Sequence, residues 1–361
     1  MKVAIIHYWL VGMRGGERVL EALCRMYPDA DIFTNVYIPK EITETIKSHK
    51  ITTTFIQNLP RVATWYQRYL FLMPLALEQL DLRGYNLVIS SESGPAKGVI
   101  TDPDCLHVCY CHSPMRYLWD MYPGYLSGKD FITKNIMKLA FSYLRIWDVT
   151  SAARVDRIVA NSSFVAQRIH KYWRRESVVI PPPVAVERFT VSRTSGDYYL
   201  WVGQLIRYKR PDLAIKAFTS SGRRLIVAGA GYEIESLKSI AGPSIEFVGH
   251  VTDAEVTTLL VGCKALVFPG VEDFGIVPVE AMASGKPVIA FRRGGALESV
   301  VERETGLFFN EATPEALNAV IDAFERDSSW VNPDVIREHA ERFTEAVFRK
   351  SFADVVSGTD D

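Results

Sequence analysis

Two glutamates eight residues apart, Glu272 and Glu280, flank the run Phe274-Gly275-Ile276-Val277, and a lysine, Lys209, follows the apolar stretch Trp201-Val202-Gly203. Ionised carboxylates accept hydrogen bonds from hydroxyls, and a fixed ammonium stabilises phosphate charge. The stretch from Pro269 to Ala290 reads as strand, loop, helix, turn and strand. Residues Phe274 to Val277 then fall at a helix start, where unpaired backbone N–H groups donate to hydroxyl or phosphate oxygens. Two acids so placed suit a sugar hydroxyl and a ribose diol. Read without their surroundings, the same two glutamates are solvated helix charges.

Further candidates lie in the first half. Gly12, Gly15 and Gly16 follow the apolar run Val3 to Tyr8 and precede a helical pattern, and glycine allows close backbone approach to a ligand or serves turn geometry alone. His112 follows the run Leu106 to Cys111 and precedes Pro114; His7 ends the first run. Cys105, His107, Cys109, Cys111 and His112 are metal-ligand types without paired CxxC spacing, and they read as one strand with no metal site. The five cysteines, all in apolar surroundings, predict no structural disulfide.

These residues need strands to carry them. Strand candidates in the first half are Val3 to Tyr8, Asp31 to Val36, Leu87 to Ser90, Leu106 to Cys111, Arg157 to Ser162 and Ser177 to Ile180, interleaved with helical stretches. Pro181-Pro182-Pro183 and the polar run Ser192 to Asp197 then interrupt regular structure. A second series follows at Tyr199 to Gly203, Leu225 to Ala228, Ile245 to Val248, Ala265 to Pro269 and Pro287 to Ala290, alternating with helices such as Arg210 to Phe218 and Val279 to Ala283. The expected class is therefore α/β, with a doubly wound domain over residues 1–190, a second over 191–340, and a segment 341–361 comprising a helix packed on a neighbouring domain and a frayed tail from Ser357. Ligands bind at the carboxyl ends of strands in such sheets, which places the candidate residues on functional loops.

The 361 residues accommodate two domains of ordinary globular composition. A formal net charge of −1, without a basic arm, gives no field to gather nucleic acid. The N-terminal apolar run meets polar residues too soon for a signal peptide or a membrane span, which predicts a cytoplasmic protein. Phe55 to Leu80 and Lys129 to Trp147 mix basic and aromatic residues, and two readings stay open for them: shallow contact with the inner face of the cytoplasmic membrane, or an acceptor-site wall or core.

The E-x7-E spacing of Glu272 and Glu280, followed by Ala281-Met282-Ala283-Ser284-Gly285-Lys286-Pro287-Val288, resembles retaining glycosyltransferase family 4. Trp201 to Asp212 resembles that family's Gly-Arg-Leu-x-x-x-Lys element, with Lys209 at the lysine but Gln204 where arginine is usual. The Gly12-to-Gly16 loop resembles its glycine-rich loop and His112 its cleft histidine, and similarity continues through Asn161-Ser162, Val179 to Val184, Gly294 to Glu298 and Thr305 to Phe309.

The resemblance implies the GT-B fold, two Rossmann-like domains facing a central cleft. It implies catalytic roles for His112, Lys209 and Glu272, and donor binding by Gly15, Gly16, Gly203, Gln204, Arg207, Arg210, Phe274, Gly275, Ile276, Val277 and Glu280. Arg207 or Arg210 stands in for the arginine missing at Gln204. The implied reaction is front-face displacement without a bound metal or other cofactor: the donor is a GDP- or UDP-linked sugar and the acceptor a glycan or lipid-linked glycan. The Cys111-His112-Ser113-Pro114-Met115-Arg116-Tyr117-Leu118-Trp119-Asp120 segment is similar to that of bacterial polysaccharide and O-antigen mannosyltransferases, which makes GDP-mannose the leading donor. A nucleotide-sugar-binding protein without catalysis, and a GT-B epimerase or phosphorylase, are the rival readings.

Overall fold

The computed structural model describes residues 1–358 and divides the chain into two compact units, Met1–Pro182 with the chain from Phe348 onwards, and Pro183–Val347. The division falls after Pro182 rather than at 190 because Val184, Val186 and Phe189 are buried in the second unit's core and Val184 N–H donates to Phe343 O at 2.8 Å. The frayed tail expected from Ser357 lies, for residues 359–361, outside the described residues; Ser357 closes the helix Glu345–Ser357.

The first unit holds a seven-stranded parallel sheet of order β3-β2-β1-β4-β5-β6-β7, with β1 Val3–His7, β2 Asp31–Thr34, β3 Ile51–Thr53, β4 Leu87–Glu92, β5 Leu106–Cys111, β6 Arg157–Ala160 and β7 Val178–Val179. Both faces are covered, so strands read as apolar runs rather than alternating ones. Val3 and Ile5 face a cluster with Val19, Leu20 and Leu23 of the helix Gly15–Met26, while Ala4 and Ile6 face Leu77, Leu82 and Val99. Phe348 and Phe352 of the last helix complete the first cluster, with ring centroids 5.6 and 6.5 Å from that of Tyr110. Arg157 caps that helix by donating to the carbonyls of Val355 and Val356.

In the second unit a six-stranded parallel sheet has the order β10-β9-β8-β11-β12-β13, with β8 Tyr199–Val202, β9 Leu225–Ala228, β10 Ile245–Gly249, β11 Leu266–Phe268, β12 Val288–Phe291 and β13 Gly306–Phe309. Tyr199 and Trp201 enter one core cluster, Leu200 the other. Chain order reverses between β1 and β4 in the first sheet and between β8 and β11 in the second. Those switch points are where loops diverge and leave room for a ligand.

Expected boundaries shift in places. The run 31–36 is strand only to Thr34, and β4 continues to Glu92. The short edge strand Ile51–Thr53 has too few residues for a period-2 signal to stand out. The helix expected from Arg210 begins at Pro211, because proline favours the first helical position and Arg210 adopts a left-handed φ of 53°. The last helix starts at Glu345, not Phe343. Among the described residues, no helix is long and apolar enough to cross a membrane.

Candidate active site

The two loops at the second unit's switch point meet through glycine. A side chain at Gly270, just after β11, would lie 2.7 Å from the Lys209 Cα, and one at Gly295 2.2 Å from the Phe274 Cα. Gly295 N–H donates to Glu272 O at 2.8 Å, fixing the loop that carries the first glutamate. Gly229, in a conformation with φ of 141°, would otherwise place a Cβ 1.8 Å from the Gly203 carbonyl. The β8, β9, β11 and β12 loops therefore pack backbone to backbone, and only glycine permits such approach.

This packing brings together two residues that lie 63 apart in sequence. The Lys209 Nζ donates to Glu272 Oε1 at 2.8 Å, with the two side chains only 15% and 19% exposed. Lys209 ends a short 3-10 turn, Arg207–Lys209, and its aliphatic stem lies against Gly203, where a Cβ would sit 3.3 Å from Cδ. Arg210 forms a two-pronged pair with Asp212, at 2.9 and 3.1 Å, while Arg207 and Gln204 are exposed. With Arg210 held by its own carboxylate, Arg207 is the more available cation near the Gln204 position.

Gly275, at φ 90°, turns the chain into the helix Ile276–Ala283. Phe274 is buried against the Phe343 ring, with centroids 5.6 Å apart, which anchors the loop. Pro278 has no N–H, so the free donors of the first turn are the amides of Ile276 and Val277. Glu280 lies within that helix, half-buried. The arrangement offers an ammonium, two carboxylates and a helix N-terminus to a phosphorylated, hydroxyl-rich ligand.

In the first unit His112 continues β5 beyond its end, and its N–H donates to Glu92 O at 2.7 Å. The Asn161 side chain donates to His112 O at 2.9 Å. Burial and the neighbouring His7 push the His112 pKa down to about 3, so its imidazole is neutral at ordinary pH. As a residue His112 is only partly buried. Gly16 sits over it, a Cβ there lying 3.6 Å from His112 Nε2 and 3.7 Å from His7 Cε1; Gly15 opens the helix whose first turn carries both glycines.

The remaining metal-ligand types of β5 turn away from His112, since successive strand residues face opposite sides. His107 bonds Ser90 at 3.0 Å, and burial lowers its pKa to about 4. The five cysteines are free and buried.

Four polar side chains escaped the sequence reading. Glu17, Ser91 and the buried Lys97–Asp148 pair come from elements far apart in sequence, and no local spacing marks them. The Lys97 Nζ lies 2.5 Å from Asp148 Oδ1 and 3.7 Å from Glu92 Oε1, while Asp148 Oδ2 accepts from the indoles of Trp119 at 2.8 Å and Trp173 at 2.7 Å. Burial pushes the Glu92 carboxyl up to about 7 despite Lys97.

Comparison with known proteins bears on the family and the fold. The family model described as Glycosyltransferase Family 4 matches residues 13–188, and that described as Glycosyl transferases group 1 matches 187–349. The Alpha-1,3/1,6-mannosyltransferase ALG2 of Kluyveromyces lactis is 27% identical over 287 residues, 64% of this chain and 52% of that protein. That of Saccharomyces cerevisiae is 26% identical over 306 residues, 68% of this chain and 58% of that one. The chain thus spans between half and three-fifths of the length of these curated relatives. The Anabaena protein Alr3699/HepE, solved in complex with UDP, superposes with a TM-score of 0.72 at 16% identity, covering 99% of this chain and 100% of that one. Two family models meeting end to end over two parallel α/β sheets leave one conclusion: the chain belongs to glycosyltransferase family 4 and has the GT-B fold.

Proposed function

We propose that this protein is a retaining hexosyltransferase that moves a sugar, with mannose from GDP-mannose as the leading case, onto a glycan or lipid-linked glycan acceptor in bacterial surface-polysaccharide synthesis. The observation that carries the reading is the Lys209–Glu272 contact of 2.8 Å at the second unit's switch point. A lone surface lysine would be solvated; this one is held by a carboxylate and packed on glycine. The mannosyltransferase relatives support the sugar, and the UDP complex of the Anabaena protein supports a nucleotide-linked donor.

In this mechanism the donor diphosphate enters against Lys209, with Arg207 beside it and the amides of Ile276 and Val277 as further donors. Gly203, Gln204 and Gly275 leave backbone room for it, and Glu280 accepts from the ribose hydroxyls. Glu272 orients both Lys209 and a hexose hydroxyl. Charge grows on the departing diphosphate, and the ammonium, already positioned, stabilises that increment without reorganising. His112 contacts the donor sugar, and Gly15 and Gly16 line its approach. The acceptor oxygen bonds to the anomeric carbon on the face from which the diphosphate leaves, its proton passing to the departing phosphate oxygen, and configuration is retained.

The long helix Phe131–Ala152 supports contact with the inner face of the cytoplasmic membrane. Ile132, Ile136, Leu139, Tyr143 and Ile146 recur at helical spacing and are all exposed, Leu139 by 76%, with Lys134 and Lys138 on the same stretch. Such a ridge suits shallow burial among anionic headgroups. In the 55–80 stretch, Phe71 and Leu75 are likewise exposed, whereas Trp65 is flanked by Arg61 and Arg68.

The test is turnover with a panel of GDP- and UDP-sugars and a lipid-linked acceptor, with the product anomer read by NMR. An inverted anomer overturns the retaining reading, and nucleotide release only from UDP-sugars overturns the mannose donor. Failure of the protein to float with anionic liposomes at low salt removes the membrane contact.

A further inference from the structure

Four polar side chains stand in line at the first unit's switch point: Glu17, His7, Ser91 and His112. The Glu17 Oε1 lies 3.4 Å from His7 Nε2, His7 Nδ1 lies 3.0 Å from Ser91 Oγ, and Ser91 Oγ lies 2.9 Å from His112 Nε2. His7 and Ser91 are fully buried and Glu17 nearly so. Serine has one proton to donate, and that limit fixes the direction of the whole chain.

Burial would raise the Glu17 carboxyl, but the hydrogen bond from His7, attraction to that ring when it is charged, and hydrogen bonds from backbone amides outweigh it and lower the group. Its Oε2 accepts from Arg14 N–H at 3.0 Å. An ionised carboxylate only accepts, so His7 Nε2 carries the hydrogen. The 3.4 Å contact is longer than the 2.7–2.9 Å of a charge-assisted pair, and the ring is taken in its neutral form. The His7 Nδ1 is then bare and accepts the Ser91 proton. Having donated that proton, Ser91 Oγ can only accept from the His112 side, so His112 Nε2 is the protonated nitrogen.

We propose that Glu17, His7 and Ser91 are positioning residues that fix His112 as its Nε2–H tautomer, so that its Nδ1 stands bare as an acceptor for a ligand hydroxyl. The inference rests on the reading of His112 as a donor-sugar contact. It adds a polarity to that contact: His112 selects a hydroxyl pointing its hydrogen at the ring, and it cannot donate to a phosphate or carbonyl oxygen. Were His7 an imidazolium, both its nitrogens would donate, Ser91 would give its proton to His112 Nε2, and His112 would face the ligand with Nδ1–H instead.

Long-range proton–nitrogen correlation on the whole chain labelled with 15N-histidine distinguishes the two. Signals of the seven histidines are assigned by comparison with His112→Asn and His7→Asn. At neutral pH, without ligand, His112 is expected to show a pyrrole-type Nε2 and a pyridine-type Nδ1. The variant Ser91→Ala is expected to give a mixture of tautomers and turnover lower by about tenfold, the scale of one hydrogen bond. A wild-type His112 protonated at Nδ1, or an unchanged tautomer in Ser91→Ala, overturns the proposal. Should Ser91→Ala fail to fold, Glu17→Leu tests the same chain from its far end, since without the carboxylate His7 loses its preference for Nε2–H. Adding GDP-mannose or UDP-glucose separates the two layers: an Nε2–H tautomer whose Nδ1 signal neither sugar nucleotide moves leaves the relay standing and removes the donor-sugar contact.

Discussion

At the carboxyl ends of β8 and β11 the polar groups sit on loops; at those of β1, β4 and β5 they sit on or next to the strands themselves. In the second unit Lys209 and Glu272 remain partly open to solvent, and glycines press the loops that carry them together. In the first, His7 and Ser91 belong to strand ends, and their hydrogen bonds run sideways across the buried carboxyl ends of the central strands. Loop-borne charge held by backbone packing can exchange a protein partner for a ligand at small cost, because neither group is fully desolvated. Strand-borne polarity cannot, since an orphaned buried group bears its whole desolvation penalty. The second unit is thus built to bind charge and the first to hold a fixed hydrogen-bond pattern.

The largest expected effect tests the first unit's side of that contrast. Lys97→Met leaves Asp148 and Glu92 without their buried cation, and removing one partner of such a cluster costs about 3–5 kcal/mol. Urea unfolding should show that loss. A shift under about 1 kcal/mol would mean that the two carboxyls take up protons and that the cluster is not held by charge.

In the second unit the matching change should spare stability and remove activity. Lys209→Ala is expected to lower turnover about a hundred- to a thousandfold, the scale of losing one preorganised group facing developing charge. Stability should move by less than about 1 kcal/mol, since the pair is partly exposed. Charge reversal at Arg207 should reduce turnover more than at Arg210, whose guanidinium already pairs with Asp212. Near-normal turnover in Lys209→Ala at saturating donor would remove its assignment as the leaving-group cation.

Next in size, Gly295→Ala forces a methyl group to within 2.2 Å of the Phe274 backbone and should cost about 1–3 kcal/mol by overpacking. Because the same contact sets the loop bearing Glu272, turnover should fall with it. A thermal-shift measurement showing no loss would mean the β11 and β12 loops can part freely.

The contrast also explains what could be read from sequence. Most strands of both sheets were legible because doubly covered parallel strands are apolar runs bounded by turns, as in Val3–His7 and Leu225–Ala228, whereas Ile51–Thr53 and Gly306–Phe309 were not among the expected strands. Lys209 and Glu272, which the structure brings into contact, stood out in the sequence through their resemblance to the family's glycine- and proline-bearing elements, as did Glu280 on the helix that follows. The pairing of Ser91 with His7 across 84 residues, and of Lys97 with Asp148 across 51, left no local trace. Strand order β1-β4 brings His7 beside Ser91, and packing of the helix Phe131–Ala152 on the turn Ala96–Gly98 brings Asp148 to Lys97; periodicity encodes neither.

The smallest expected effect asks what glycine does in the first unit. Gly270 and Gly295 have backbone atoms where a Cβ would go, but the nearest atoms to a Cβ at Gly16 belong to the His112 and His7 rings, at 3.6 and 3.7 Å, an ordinary contact. Gly16 also lies in the first turn of the helix Gly15–Met26, where alanine is preferred to glycine by up to about 1 kcal/mol. Folding alone therefore gives no reason for glycine at this position, and Gly16→Ala should leave the melting temperature unchanged or slightly raised. If the loop instead keeps room for a donor phosphate or sugar over His112, the added methyl occupies that space, and turnover should fall several-fold while stability does not. Measured side by side, those two readings separate the roles: a stabilised and fully active Gly16→Ala would show that the loop's glycine serves neither the fold nor the ligand, and that the donor lies elsewhere than over His112.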